Sequence, residues 1–273
     1  MRIALLQMTS GIDPAANAQV ISSAVSEARA GGAQILFTPE MSGMLDRERK
    51  RASSKIVRPE DDPVLAVVRQ AAASEGICVA LGSLAIERED GRWANRSFVI
   101  DPAGEIVATY DKIHMFDVEL ESGENWRESA AYVPGSSVVT VDINGLGRLG
   151  LAICYDLRFP ALFEALGKLS CDVIAIPAAF TRPTGEAHWH VLQRARAIEA
   201  SAFVVAAAQV GRHEDGRETY GHSLVIDPWG AVLLDMGGEK AGLGFADLDM
   251  SAISRIRQQL PSLANRREIS KSA

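Results

Sequence analysis

A chain of 273 residues, 47% of them hydrophobic, can bury one large core, so a single domain over residues 1–273 is expected. A formal net charge of −7 argues against a surface built for nucleic acid or an anionic membrane. No run of about 18 uncharged apolar residues occurs, and Met1-Arg2-Ile3-Ala4-Leu5-Leu6 enters a strand pattern at once, so neither a membrane span nor an export signal is expected.

In chain order, strands and helices alternate. Ile3 to Leu6 reads as a strand, Ala15 to Ala30 as a helix, and Ile35-Leu36-Phe37 as a strand that Thr38-Pro39 stops, delivering the carboxylate of Glu40 at its end. The mixed charges of Asp46-Arg47-Glu48-Arg49-Lys50-Arg51 read either as a solvated loop or as a lure for an acidic substrate. A helix over Asp62 to Ser74 and a strand over Gly76 to Leu81 precede a hairpin at Val99 to Val107. Just past that hairpin, Tyr110-Asp111-Lys112-Ile113-His114 places a lysine at a strand end. The loop that follows is poor in apolar residues and holds Glu119, Glu121, Glu124 and Glu128.

The apolar run Leu149-Gly150-Leu151-Ala152-Ile153 then closes on Cys154, followed by Tyr155-Asp156-Leu157-Arg158-Phe159-Pro160. This is a strand, a tight turn and a helix opening on a proline, which is tolerated at the first helical position. Such a helix start would lie near the sulfur and ease loss of its proton. Beyond it come a strand at Val173 to Ile176, a helix at Glu186 to Ala200, a strand at Ala202 to Ala207 and a second hairpin at Val225 to Leu233. His188 and His190 stand two apart on the helix and point away from each other, so no metal site is expected. Cys78, Cys154 and Cys171 cannot all pair, which fits a reducing cytoplasm. The tail, residues 262–273, reads as partly extended or disordered.

The two halves echo one another. Val99-Ile100-Asp101-Pro102-Ala103-Gly104-Glu105-Ile106-Val107 recurs 126 residues later as Val225-Ile226-Asp227-Pro228-Trp229-Gly230-Ala231-Val232-Leu233. At the same offset the strand around Val79 has a partner around Val205, and Ile35 to Pro39 parallels Val173 to Pro177. Glu40, Lys112 and Cys154 each sit just past a strand, where open α/β sheets gather ligand chemistry. Together they supply a base, a cation for an oxyanion and a nucleophile, a complete set for cleaving an amide.

The segments Thr38-Pro39-Glu40, Tyr110-Asp111-Lys112-Ile113-His114 and Cys154-Tyr155-Asp156-Leu157-Arg158-Phe159-Pro160, in that order, resemble the three signature stretches of the nitrilase superfamily of carbon-nitrogen hydrolases. The resemblance spans Ile3 to about Arg267 and implies an α/β fold, an α-β-β-α sandwich, that works through a cysteine thioester without a cofactor. It implies Glu40 as general base, Lys112 and the backbone of Tyr155 as oxyanion donors, and a second glutamate beside the lysine. Glu128 fits that last role best by context, with Glu119, Glu121 and Glu124 as competitors. It also implies a homodimer or higher homo-oligomer, with Ala252 to Leu260 reaching a second subunit.

The stretches Ala187 to Glu199, Val204 to Gln209 and Tyr220-Gly221-His222-Ser223 are similar to the branch that hydrolyses the terminal amide of 2-oxo-dicarboxylic acid derivatives such as deaminated glutathione. The expected partner is therefore a small-molecule amide carrying carboxylate. Arg158 either binds that carboxylate or bridges to Asp156 or a neighbouring loop, and Phe180 and Thr181 either line the pocket or pack behind it. An N-carbamoyl amidohydrolase or a nitrilase would use the same catalytic set. A purely interacting protein would have no need to retain it.

Overall fold

The computed structural model describes residues 1–119 and 125–269. Its first half comprises strand β1 (Arg2–Gln7), helix α1 (Pro14–Ala30), β2 (Ile35–Phe37), the short α2 (Arg49–Ser53), α3 (Pro63–Glu75), β3 (Cys78–Glu87), β4 (Trp93–Ile100) and β5 (Ile106–Asp111). A small ribbon, β6 (Asp117–Glu119) and β7 (Asn125–Arg127), leads to β8 (Thr140–Ile143), β9 (Gly147–Leu151), α4 (Pro160–Lys168), β10 (Val173–Ala175), α5 (Arg182–Ala200) and β11 (Phe203–Ala206). A second ribbon, β12 (Val210–Arg212) and β13 (Glu218–Tyr220), precedes β14 (Leu224–Ile226), β15 (Val232–Asp235), β16 (Gly242–Asp247) and α6 (Ser251–Gln259).

Two six-stranded sheets result, ordered β16-β1-β2-β3-β4-β5 and β8-β9-β10-β11-β14-β15. In each, three parallel strands are extended by an antiparallel hairpin on one side and one antiparallel strand on the other. The repeat in the sequence is thus a repeat of topology. Both Asp-Pro-x-Gly turns close alike: Asp101 Oδ1 accepts from the backbone of Ala103 and Glu105, and Asp227 Oδ1 from that of Trp229 and Ala231. Gly104 and Gly230 take φ of 81° and 88°, the left-handed region that a side chain would resist.

Side-chain alternation along the strands builds the layers. Ile3, Leu5, Ile35 and Phe37 share a core with the second sheet, whereas Ala4, Leu6 and Leu36 face the opposite way and pack with Ile21, Val25, Val68 and Ala72 of α1 and α3. On the far side, Leu162, Phe163, Trp189 and Ala197 of α4 and α5 cover the second sheet, completing the α-β-β-α sandwich. Helices α1 and α3 each open on Asp-Pro, where Asp13 and Asp62 accept from backbone N–H groups of the first turn.

At the C-terminal end, the segment from Ala252 to Leu260 packs one face on its own chain: Ala252, Ile253 and Ile256 of α6 are buried in the core, and Arg257 donates to the carbonyls of Cys171 and Ser201. The tail is held as far as Arg266, which donates to the carbonyls of Glu164 and Glu199 at 2.9 Å each, while residues 270–273 lie outside the described residues. Helix α5 begins at Arg182 rather than Glu186, because the polar first turn hides its start and Pro183 is tolerated there. Among the described residues no helix is long and apolar enough to cross a membrane.

Gly82, in β3, lies against the segment that delivers Glu40. A Cβ there would fall 2.1 Å from the carbonyl oxygen of Thr38 and 2.3 Å from that of Pro39. Gly82→Ala must therefore push this segment outward, a cost of about 1–3 kcal/mol. For a chain of this size a drop of roughly 2–10 °C in Tm is expected, measurable by calorimetry. A Tm unchanged from the parent would mean that the segment moves freely.

Candidate active site

Three chain segments far apart in sequence end at one place. Glu40 follows β2 beyond the Thr38-Pro39 stop, Lys112 follows β5, and Cys154 follows β9 across the sandwich. Lys112 is 2% exposed, Glu40 4% and Cys154 7%, so the chemistry sits at the buried floor of a cavity. Lys112 Nζ donates to Glu40 Oε1 at 2.9 Å and to Glu128 Oε2 at 2.8 Å. Glu128 stands in a single 3-10 turn after β7, where its Oε2 also accepts from the backbone N–H of Phe116 at 2.7 Å. Of its rivals, Glu119 is exposed at the end of β6 and does not line the cavity, and Glu121 and Glu124 lie outside the described residues.

The remaining contacts fix the two carboxylates. Asn95 Nδ2 donates to Glu40 Oε1 at 2.9 Å and to Glu128 Oε1 at 3.1 Å, and the backbone N–H of Ala179 donates to Glu40 Oε2 at 2.9 Å. Burial alone would pull the Lys112 ammonium below the ordinary lysine range. The facing charges of Glu128 and Glu40 outweigh that and hold its ammonium well above the ordinary lysine range.

The thiol behaves opposite to the expectation from its neighbouring helix. Burial, then the negative charge of Glu40, push the Cys154 thiol well above its ordinary value, and Lys112 offsets only part of this. Helix α4 starts six residues on, beyond a 3-10 turn over Cys154–Arg158, so it does not follow the sulfur directly. At rest Cys154 is a neutral thiol beside a carboxylate. Cys154 itself adopts φ 47°, in the left-handed region, and its N–H donates to the carbonyl of Pro177 at 2.9 Å.

The cavity holds about 690 Å³, ample for a molecule of metabolite size. Tyr155, Phe180 and Thr181 line it, as expected. Arg158 does not. Its guanidinium lies over the rings of Tyr155 and Phe180, at 5.8 and 5.2 Å from their centres, and reaches His188 Nδ1 at 3.2 Å, pairing with neither the cavity nor Asp156. The arginines that do line the cavity are Arg47, Arg49, Arg127 and Arg217. Arg47 and Arg217 both stack on Trp126, at 5.9 and 4.8 Å. Arg49 donates to the carbonyls of Arg127 and Ala130, bracing the turn that carries Glu128.

Sequence reasoning missed Asn95, Trp126 and Arg217. For Asn95 a signal existed: along Trp93–Ile100 it alternates in step with Ser97 and Val99, so a polar residue occupies an inward position of a buried strand. Outside the cavity, His190 does not meet His188. With His222 it instead flanks Asp235, at 3.0 and 2.9 Å, the three donor groups lying within 4.8 Å of one another.

The family model for carbon-nitrogen hydrolase matches residues 2–258. A deaminated glutathione amidase of Yersinia enterocolitica is 38% identical over 271 residues, 98% of this chain and 93% of the relative. The crystal structure of the C. elegans NitFhit protein superposes with a TM-score of 0.89 at 34% identity, over 97% of this chain, which spans only 65% of that protein. An amidase from Nesterenkonia sp. AN1, a Glu-to-Gln mutant with acrylamide added at its active site cysteine, gives a TM-score of 0.80 at 28% identity over 96% of this chain and 98% of that one. The chain belongs to the carbon-nitrogen hydrolase family of the nitrilase superfamily, and it is a hydrolase of carbon–nitrogen bonds other than peptide bonds.

Proposed function

We propose that the chain works as one catalytic domain that cleaves an amide through Cys154, with Glu40 as general base and acid, Lys112 as the cation facing the oxyanion, and Glu128 as the carboxylate that holds Lys112. The observation that carries this reading is the buried chain of contacts Glu40–Lys112–Glu128 at the floor of the cavity that Cys154 lines. Two glutamates and one lysine leave the floor with one net negative charge. A resting thiolate would add a second, uncompensated charge in a buried place, which is why the thiol keeps its proton.

Proton transfer then accompanies attack. As Sγ bonds to the amide carbon, its proton passes to Glu40 and the carbonyl oxygen gains the negative charge, which Lys112 and the backbone N–H of Tyr155 stabilise. One well-aimed donor of this kind is worth about 3–4 kcal/mol in the transition state. Glu40 hands its proton to the departing nitrogen, the C–N bond breaks, and a thioester remains. Water, ordered by Glu40 and Glu128, attacks that carbon, gives a proton to Glu40, and releases the acid; the sulfur takes the proton back. No step uses a metal or an organic cofactor.

We infer that the substrate is a 2-oxo-dicarboxylic acid amide, foremost deaminated glutathione, whose hydrolysis yields 2-oxoglutarate and cysteinylglycine. Similarity to a deaminated glutathione amidase supports this, and so does the arginine lining. Deaminated glutathione carries a carboxylate on either side of its scissile amide, and Lys112 is already engaged. Arg47 and Arg217, stacked on Trp126, are the proposed readers of one such carboxylate, with Arg158 able to serve only by leaving His188. The compartment proposed is the cytoplasm, in keeping with three free, buried cysteines.

A homodimer is proposed as the assembly. Val191 and Ile198 on α5, Trp229 in the turn that meets Ile198 at Gly230, and Leu233 on β15 are all exposed, and exposed apolar residues gathered in this way mark an interface.

Cys154→Ala should retain the circular dichroism spectrum and lose hydrolysis, and iodoacetamide should abolish activity with the label on Cys154 alone. Cys78 and Cys171, buried and outside the lining of the cavity that opens onto Cys154, should escape. Activity surviving in Cys154→Ala would remove the thioester mechanism. In parallel assays the expected preference runs to deaminated glutathione over 2-oxoglutaramate, an N-carbamoyl amino acid and a simple nitrile, unaffected by chelator. Arg217→Ala should raise KM for deaminated glutathione about tenfold or more while sparing an uncharged amide. Equal effects on both substrates would rule out carboxylate reading by this residue. Sedimentation should give a dimer that Val191→Asp shifts toward monomer.

A further inference from the structure

Among the buried carboxylates that the catalytic reading leaves unused, that of Asp156 stands two residues beyond the nucleophile and is fully enclosed. It accepts from four donors. Oδ2 takes the backbone N–H of Ile153 at 2.9 Å and the hydroxyl of Tyr110 at 2.7 Å; Oδ1 takes the backbone N–H of His114 at 3.0 Å and faces His114 Nδ1 at 2.7 Å. The Asp156 N–H returns a bond to the carbonyl of Ile153 at 3.0 Å. A carboxylate only accepts, so His114 carries its hydrogen on Nδ1, and its ring is held in that pose by stacking on Phe159 at 3.6 Å and 6°.

These contacts fall into two sets. Ile153 and Asp156 close a ring of hydrogen bonds around Cys154, the residue whose left-handed φ is costly to a side chain. Tyr110 and His114 stand two residues before and two after Lys112. One rigid group therefore grips the nucleophile's turn with one hand and both flanks of the lysine with the other, across the two halves of the sandwich. No lysine or arginine among the described residues pairs with it; Arg158, close in sequence, turns to His188 instead.

We propose that Asp156 is a positioning residue that sets where Cys154 Sγ stands relative to Lys112 Nζ, and so aligns the oxyanion with its cation. This rests on the catalytic assignment made above for Cys154 and Lys112. Misplacing reacting groups by about 1 Å can cost on the order of 100-fold in rate. The effect belongs to the step in which charge develops on the carbonyl oxygen, and not to substrate capture or to the reactivity of the sulfur as such.

The test compares Tyr110→Phe, which removes one grip on the lysine side only, with Asp156→Asn, which removes the charge. Rates are normalised to the fraction of Cys154 that can be alkylated, so a partly unfolded sample does not imitate the effect. The expected result is a fall in kcat of about tenfold for Tyr110→Phe and about 100-fold for Asp156→Asn, with KM within about threefold of the parent. Iodoacetamide forms no oxyanion, so its rate with Cys154 in Tyr110→Phe should stay within about threefold. An unchanged normalised kcat in Tyr110→Phe overturns the proposal, as does a loss of kcat matched by an equal loss of alkylation rate. If Asp156→Asn fails to fold, Tyr110→Phe still decides. Failure of the catalytic assignment itself would show separately, as hydrolysis by Cys154→Ala.

Discussion

The ammonium of Lys112, cut off from water and held between two carboxylates, is the constraint around which the site is arranged. Burying a single charge costs several kcal/mol, and only close, well-aimed partners repay it. Glu40 and Glu128 do so at 2.9 and 2.8 Å, and Asn95 touches both carboxylates and keeps them in register. The residual negative charge then decides the state of the thiol beside it. Burial and that charge push the thiol up rather than down, so under the proposed reading the carboxylate takes its proton during attack.

Such a cluster needs a frame in which strand ends meet from both sheets, and the internal repeat supplies it. Glu40 lies beyond β2 and Ala179 beyond β10, strands that correspond in the two halves, and the N–H of one grips the carboxylate of the other. Gln209, beyond β11, donates to the carbonyl of Glu40 at 2.9 Å, while the Cys154 N–H meets the carbonyl of Pro177. The loops facing one another across the pseudo-two-fold are thereby stitched together at the cavity floor. Residues from opposite halves can be catalytic partners because each half holds the other's backbone in place.

Much of this was legible in the sequence, for identifiable reasons. Strand ends are marked by proline and by the stop of an apolar run, so Glu40, Lys112 and Cys154 stood out, and the repeated Asp-Pro-x-Gly turns disclosed the paired halves. Glu128 was separable from three rivals only by resemblance, since nothing in a polar loop says which carboxylate turns inward. The direction of the thiol's shift was read wrongly, because burial and the charge of Glu40 depend on contacts 114 residues apart, whereas the helix start is visible locally. Which of its alternatives Arg158 takes was not legible for a similar reason: its stacking on Tyr155 and Phe180 and its contact with His188 are tertiary facts. Arg217 and Trp126 carried no pattern at all.

The same charge economy bears on how a dianionic substrate can be accepted. Under the proposed reading Lys112 is committed to two glutamates and to the oxyanion, so it has nothing left for a substrate carboxylate, and the floor's net negative charge would repel one. Carboxylate recognition must then be carried by groups away from the floor, and the arginines that line the cavity are the cations present there. On the same reading their placement would also orient the substrate. Its charged ends are drawn outward to the guanidinium groups, which leaves the neutral amide, the one part that the floor does not repel, to settle over the sulfur.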